Sequence, residues 1–220
     1  MTRITRLEPS KHIRGRFLVF LEGGEESLLK VTEEEVLRFA LHTGKELDDA
    51  ALAQLIRAAG LSNAKATAAR MIGARPLAKG ELIHRLIQKK IPSDCAQAAA
   101  QWLEDIGAID DLAYAKMLVR HYAARGYGPR KIRDEFFKRR VSRDCWDQAL
   151  EELEAPDDAI DRLIERKLRG NVPNRKELNR VSAYLARRGF SWEDIREGLA
   201  RYGAGPVSYT HLQSDASFPL

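Results

Sequence analysis

The stretch "ELIHRLIQKKIPSDCAQAAA" (Glu81–Ala100) is written again fifty positions later as "KIRDEFFKRRVSRDCWDQAL" (Lys131–Leu150). At that offset Leu82 falls on Ile132, Leu86 on Phe136, Lys90 on Arg140 and Ile91 on Val141, and Asp94 and Cys95 fall on Asp144 and Cys145. A looser third copy follows at an offset of forty-nine, with Val181, Leu185 and Phe190 in the places of Ile132, Phe136 and Val141. Self-similarity at such a period marks a tandem array, because a unit this small cannot bury its apolar face alone and must stack on its neighbours. The expected fold is therefore mainly α: three tandem three-helix repeats in an elongated, curved array.

Start and stop signals divide each copy into three helices. In the first, Ser62 can cap "NAKATAARMIGAR", Pro76 breaks the chain, a helix runs roughly from Lys79 to Lys90, and Pro92–Ser93 opens another that ends at Gly107. In the second, Asp110 is the N-cap and Asp111 places a favourable charge in the first turn. Leu112, Ala115, Leu118, Val119 and Tyr122 then form one stripe, Gly126 ends that helix, Pro129 opens "PRKIRDEFFKRR" and Ser142 caps the third. In the third copy, "DDAIDRLIERKLRG" is followed by helices capped at Asn174 with Glu177 and at Ser191 with Asp194.

The opening differs. Phe17–Leu21 is rich in β-formers, Gly23–Gly24 is a turn signal and a second apolar run ends at Val31, which predicts a β-hairpin; "RITRLE" can add a third short strand. Thr32 and Glu35 form a capping box for a helix ending near Gly44. Asp48 caps a second helix, in which Leu52, Leu55 and Ile56 share a face and which Gly60 stops. The expected divisions are residues 1–60 for the hairpin and two short helices, 61–108, 109–155 and 156–203 for the repeats, and 204–220 for a tail. That tail, "PVSYTHLQSDASFPL", has one charged residue and no period, and reads as disordered or foreign to the native protein.

No signature of catalysis emerges. Gly23–Gly24 lacks a following Gly-Lys-Ser/Thr, His12, His42, His84, His121 and His211 are scattered, and Asp48–Asp49, Asp110–Asp111 and Asp157–Asp158 recur where helices need caps. Cys95 and Cys145 read as small core thiols rather than a redox pair, and without a Cys-x-x-Cys pair no zinc site is expected. No apolar run approaches the ~20 residues that span a bilayer, and "MTRITRLEPS" is not an apolar signal region, so the expected compartment is the cytoplasm.

The cations are more informative. Each second helix ends in a cluster: Lys89–Lys90 after Arg85, then Lys138–Arg139–Arg140, then Arg187–Arg188. The middle helix adds Arg130, Lys131 and Arg133. Each cluster suits a helix C-terminus. Three at equivalent places would also form a basic edge for a polyanion or an acidic groove, consistent with a net charge of +5. Phe136 takes the core position of its repeat, as Tyr127, Trp146 and Trp192 sit at core spacing, whereas Phe137 is either a partly buried flank or a contact residue.

These residues resemble the RecX family of RecA regulators over about residues 3–202. The hairpin segment "RGRFLVFLEGGEESLLKVTEEEVLRFALHTGKELDD" carries the likeness, as do "ELIHRLIQKKI" and "WLEDIGAIDDLAYAKMLVRHYAARGYGPRKIRDEFFKRRV". The most specific piece is Leu103–Val141, where Leu-x-x-x-Gly-x-Ile-Asp-Asp leads through an apolar helix and a Gly-x-Gly-Pro turn to a basic helix. The chain departs from the pattern at Pro76–Leu77, where a polar cap is usual, and in its loose third unit. The resemblance implies a non-enzymatic regulator without cofactor. Its implied partner is the RecA–single-stranded-DNA filament, whose groove it occupies and whose strand exchange and ATP hydrolysis it inhibits, in homologous recombination, DNA repair and the SOS response. It also leaves room for contact with single- and double-stranded DNA, and the expected state is a monomer. The competing expectation is a stand-alone helical DNA-binding protein, and a hydrolase is the weakest reading.

Overall fold

Alternation of buried and exposed residues builds the first element of the chain, a four-stranded antiparallel sheet. The computed structural model describes residues 1–23, 28–153, 156–169 and 173–202; the expected tail and Gly24 of the expected turn lie outside them. Strands β1 (Thr2–Pro9), β2 (Arg16–Leu21), β3 (Leu28–Thr32) and β4 (Glu46–Leu47) lie in the order β3-β2-β1-β4. Leu7 pairs with Val19 and Phe17 with Val31, so Ile4, Val19, Leu21 and Val31 bury one face together with Leu41, Leu47, Leu55 and Ala59. The two-residue β4 carries too little pattern to be read from sequence.

Helix α1 (Glu33–Arg38) starts at the capping box of Thr32 and Glu35, as expected. It stops well before Gly44, the expected end. Ala40 turns left-handed at φ +46°, the Leu41 amide bonds back to Val36 O at 2.8 Å, and the Lys45 ammonium donates to the carbonyls of Phe39 and Ala40. Those carbonyls are the orphan acceptors of the helix end.

Helix α2 (Asp49–Ala74) corrects a second expectation. It begins at Asp48, whose carboxylate accepts the Ala51 amide at 2.7 Å, and runs straight through Gly60 for 26 residues. Gly60 is not a stop. A Cβ there would come within 3.2 Å of Cys95 Sγ, so the glycine admits close approach of helix α4 (Ser93–Asp105). Ser62 does not cap either: its hydroxyl donates to Ala59 O within the helix, and Arg16 donates to its Oγ and carbonyl oxygen, both at 2.9 Å. One helix thus serves two cores. Leu55 and Ala59 close the sheet, while Ala64 and Ala68 pack with Leu82, Leu86 and Leu103 of helices α3 (Lys79–Gln88) and α4. Ile56 is 48% exposed and does not join the face expected for it.

The missing polar cap at Pro76–Leu77 has a tertiary substitute. Helix α3 has Ala78 at its N-cap with no side-chain bond, and Leu77 and Ala78 are buried. The buried carboxylate of Asp111 accepts the Lys79 amide at 2.7 Å instead. Asp111, expected to serve its own helix, also satisfies an orphan donor of another.

The contacts divide the chain into two units, Met1–Asp111 and the part from Leu112 onward. Helix α5 (Asp111–Ala123) leads into the second, which continues with α6 (Pro129–Lys138), a 3-10 turn (Arg143–Cys145), α7 (Trp146–Leu150), α8 (Pro156–Leu168), α9 (Arg175–Arg187) and α10 (Trp192–Arg201). Asn174–Glu177 and Ser191–Asp194 are capping boxes, as read from sequence. Ser142 precedes the 3-10 turn, its hydroxyl 3.4 Å from Asp144. Ile132, Phe136 and Val141 fill the middle core, where Phe136 leans on Trp146 at 5.7 Å; Val181, Leu185 and Phe190 fill the last. Trp192 is 39% exposed rather than core. Cys95 is buried, Cys145 half-buried, and both are free thiols.

Within the second unit the turn after α9 seals the start of α6. Gly128 N and Arg130 N donate to the carbonyls of Arg188 and Gly189 at 2.8 and 3.0 Å. A Cβ on Gly189 would stand 2.4 Å from Lys131 N, so only glycine allows this approach.

A candidate cationic contact surface

The three second helices end in the same turn. In α3, α6 and α9 the C-cap residues are Lys89, Arg139 and Arg188. The next residues, Lys90, Arg140 and Gly189, are left-handed at φ +63°, +54° and +89°. The following amides of Ile91, Val141 and Phe190 bond back to Leu86 O, Phe136 O and Leu185 O at 3.2, 3.0 and 3.3 Å. This is the Schellman arrangement, with its apolar contact provided by the repeat's core residues. The fifty-residue period therefore sets the backbone at each cationic cluster.

The side chains on those matched backbones do different things. Arg139 is half-buried and donates to Tyr114 Oη at 3.1 Å, with the Glu135 carboxylate 3.9 Å away. Burial works against its charge, but hydrogen bonds to Tyr122 and Tyr114 outweigh it and hold the guanidinium above its ordinary range. Arg188 lies over the rings of Tyr127 and Tyr184 at 4.7 and 5.0 Å and donates to the carbonyls of Arg125 and Gly126. Both are ties within the fold. Arg85 pairs with Glu81 at 2.8 Å, and Arg75 holds the same carboxylate at 2.7 Å. Lys138 pairs with Glu135 at 3.1 Å. Although burial favours the neutral acid, hydrogen bonds from Lys138 and Tyr122 hold the Glu135 carboxyl below its ordinary value.

The remaining cations are open. Lys89, Lys90, Arg130, Arg140 and Arg187 are exposed and form no ion pair among the described residues. Lys131 is half-buried beside the Gly189 turn, and Arg133 reaches only the exposed Asp147, at 3.5 Å. Arg85, Lys89 and Lys90 belong to the first unit and the other eight sequence-derived candidates to the second. In the second, Lys138–Arg140 and Arg130–Lys131 mark opposite ends of α6, about 15 Å apart at ~1.5 Å per residue, and the Arg187–Arg188 cluster adjoins the Arg130 end through the Gly189 turn.

One grouping goes beyond the sequence reading. Arg130, Arg133 and Phe137 recur at helical spacing and are all exposed, Phe137 by 67%, with Arg140 next in the turn. The repeat places Ile87 at the equivalent of Phe137, and it is 44% exposed beside Lys90. An exposed apolar residue flanked by open cations thus occurs in two copies. The sequence separates Phe137 from the core position of Phe136 and leaves it as a flank or a contact residue; its exposure favours the contact, in line with Arg130 and Arg133. Among the described residues no group of His, Cys, Asp and Glu could hold a metal ion, and no helix is long and apolar enough to cross a membrane.

Comparison with known proteins agrees with this architecture. Residues 110–150 match "RecX, second three-helix domain" and residues 156–199 match "RecX, third three-helix domain". The regulatory protein RecX of Vibrio vulnificus is 30% identical over 144 residues, covering 64% of this chain and 93% of that protein. RecX of Lactobacillus delbrueckii is 28% identical over 196 residues, covering 87% and 71%. RecX of Geobacillus thermodenitrificans is 29% identical over 207 residues, covering 91% and 77%. In backbone, the chain resembles a crystal structure of a regulatory protein RecX, with TM-score 0.67 at 23% identity over 91% of this chain and all of the other. It also resembles RecX from Lactobacillus salivarius, with TM-score 0.59 at 20% identity over 66% and 97%. Sequence period, three-helix units and these likenesses together establish that the chain belongs to the RecX family of regulatory proteins.

Proposed function

We propose that the chain is a regulator, mainly an inhibitor, of the RecA recombinase, acting in the cytoplasm as a monomer without catalysis of its own. It binds along the groove of the RecA–single-stranded-DNA filament and modulates strand exchange and ATP hydrolysis during homologous recombination, DNA repair and the SOS response. The observation that carries this reading is the row Arg130, Arg133, Phe137 and Arg140, echoed by Ile87, Lys89 and Lys90. Open cations raise the local potential and speed encounter with an acidic surface. Exposed aromatic and arginine side chains are the residues on which interface energy concentrates. A protein that bridges neighbouring filament subunits in this way obstructs duplex entry and the subunit motions that hydrolysis requires.

The test reverses charge at exposed side chains, of which only Arg133 has an internal partner, the exposed Asp147, and leaves Arg139 and Arg188 untouched. The triple variant Arg130→Glu, Arg133→Glu, Arg140→Glu keeps its thermal melt and loses potency against RecA's DNA-dependent ATPase by about tenfold or more, equivalent to ~1.4 kcal/mol. Unchanged inhibition by the folded variant overturns the assignment. Tighter, salt-sensitive binding to bare duplex than to RecA-coated strand favours the stand-alone DNA-binding protein instead.

A further inference from the structure

Strand β3 is the outer edge of the sheet, paired with β2 on one side and, among the described residues, with no strand on the other. The register fixes which of its backbone groups are free. Arg16 O accepts the Ser10 amide at 2.7 Å, on the side away from β3. The amide of Thr32, the residue opposite Arg16, goes to Glu35 Oε2 at 2.7 Å rather than across the ladder. Arg16–Thr32 is therefore a non-hydrogen-bonded pair, and alternation turns the amides and carbonyls of Lys30 and Leu28 away from β2. Among the described residues no hydrogen bond reaches those outward groups.

Beside that edge lies an open groove of about 600 Å³. Its lining includes the buried Cys95 and the Gly60 that lets α4 approach α2, together with the exposed apolar side chains of Leu28, Ile56 and Pro92. Its cations, Lys30 and Arg57, are exposed and form no ion pair among the described residues, and its one carboxylate, Asp94, lies beside the Cys95 thiol. An unpaired edge next to an apolar groove is the arrangement that receives an added strand, with main-chain bonds giving affinity and alternate side chains giving selectivity. On such a strand the residue opposite Lys30 shares its face and meets the ammonium, so a carboxylate fits there. Its neighbours point to the other face, the one on which Leu29 and Val31 meet α2, where apolar side chains fit. A second copy of β3 fits poorly, because two-fold pairing about Lys30 sets lysine against lysine.

We propose that the β3 edge and this groove bind an extended segment of a partner protein in which acidic and apolar residues alternate. The site shares no residue with the cationic surface above and does not rest on the regulatory reading. The probe is a capped, dye-labelled peptide, Val-Glu-Val-Glu-Val-Glu-Val, titrated with the full chain and followed by anisotropy; a peptide of the same composition written in blocks is the control. The alternating peptide should bind saturably and the block peptide should not. N-methylation of alternate amides, on the glutamates in one series and on the valines in another, should abolish binding in one series and spare it in the other, because only one edge of the added strand meets β3. Lys30→Pro removes an outward amide that gives nothing to the β2 ladder, and Lys30→Gln keeps that amide while removing the charge. Lys30→Pro and, separately, Ile56→Glu at an exposed position should each weaken binding by about tenfold or more with the thermal melt retained, and Lys30→Gln by less. Ile56→Glu keeps the test decisive if the proline variant unfolds. Absence of saturable binding, equal binding of the block peptide, or equal effects of the two methylated series overturns the proposal, as does wild-type affinity in Ile56→Glu. A dimer of the full chain in sedimentation that Lys30→Gln tightens and Lys30→Pro dissociates overturns the partner segment in favour of a second copy.

Discussion

Lys90 and Arg140 occupy a backbone conformation that costs a residue with a Cβ about 1–2 kcal/mol, and the third repeat places Gly189 at the same point. Neither side chain recovers that cost inside the fold, since both are exposed and unpaired among the described residues. On the proposed reading, the strain at these two exposed turns is offset by contact with the filament. Lys90→Gly and Arg140→Gly should therefore raise stability while weakening inhibition of RecA. Strain relief, set against the ~0.5–1 kcal/mol of extra chain entropy that glycine brings, leaves a net gain of roughly 0.5–1 kcal/mol. Thermal unfolding and the ATPase assay read the two quantities separately. A gain in melting temperature with full inhibition would show that the strain serves nothing in binding.

At the scale of elements, signals confined to a few neighbouring residues were legible and signals that depended on tertiary contact were not. Thr32, Asp48, Asn174 and Ser191 cap where the sequence placed them, because an N-cap needs only an oxygen and an amide two or three residues ahead. Gly60 read as a stop because nothing local reveals that Cys95 lies against it. Asp111 read only as a favourable charge in the first turn of its own helix because the amide it accepts, that of Lys79, is thirty-two residues upstream. Likewise Lys89, Arg139 and Arg188 look equivalent, and the tyrosines that distinguish two of them, Tyr114 of α5 for Arg139 and Tyr127 of the turn after α5 for Arg188, are far away in sequence. The Gly60 correction has a measurable sign. In a solvent-facing helix Gly→Ala gains up to ~1 kcal/mol; here the new methyl presses on Cys95 Sγ, so Gly60→Ala alone should gain little or lose. With Cys95→Ala present, the same change should recover most of that gain. A double-mutant cycle by denaturant unfolding reads the coupling, and an additive cycle removes the contact from the explanation.

For the whole molecule, both units carry open cations, Lys89 and Lys90 in the first and Arg130 and Arg140 in the second, of which Lys90 and Arg140 are repeat equivalents. Two contact sets on one chain convert the second binding event into an intramolecular one, so each set should matter beyond its own affinity when both meet the same filament. Lys89→Glu with Lys90→Glu, and separately Arg130→Glu with Arg140→Glu, should each weaken binding to RecA-coated strand by tenfold or more, because either change removes one arm of the linked pair. The quadruple variant should fall further, to the level of non-specific attraction. Higher salt should compress all these differences, since exposed charges about a Debye length from their partners, ~8 Å at physiological ionic strength, are screened. If reversal in one unit leaves filament binding unchanged while the other abolishes it, the filament contact is confined to a single unit. The repeat's duplication of open cations would then be a legacy of the helix-end turn rather than a shared binding edge.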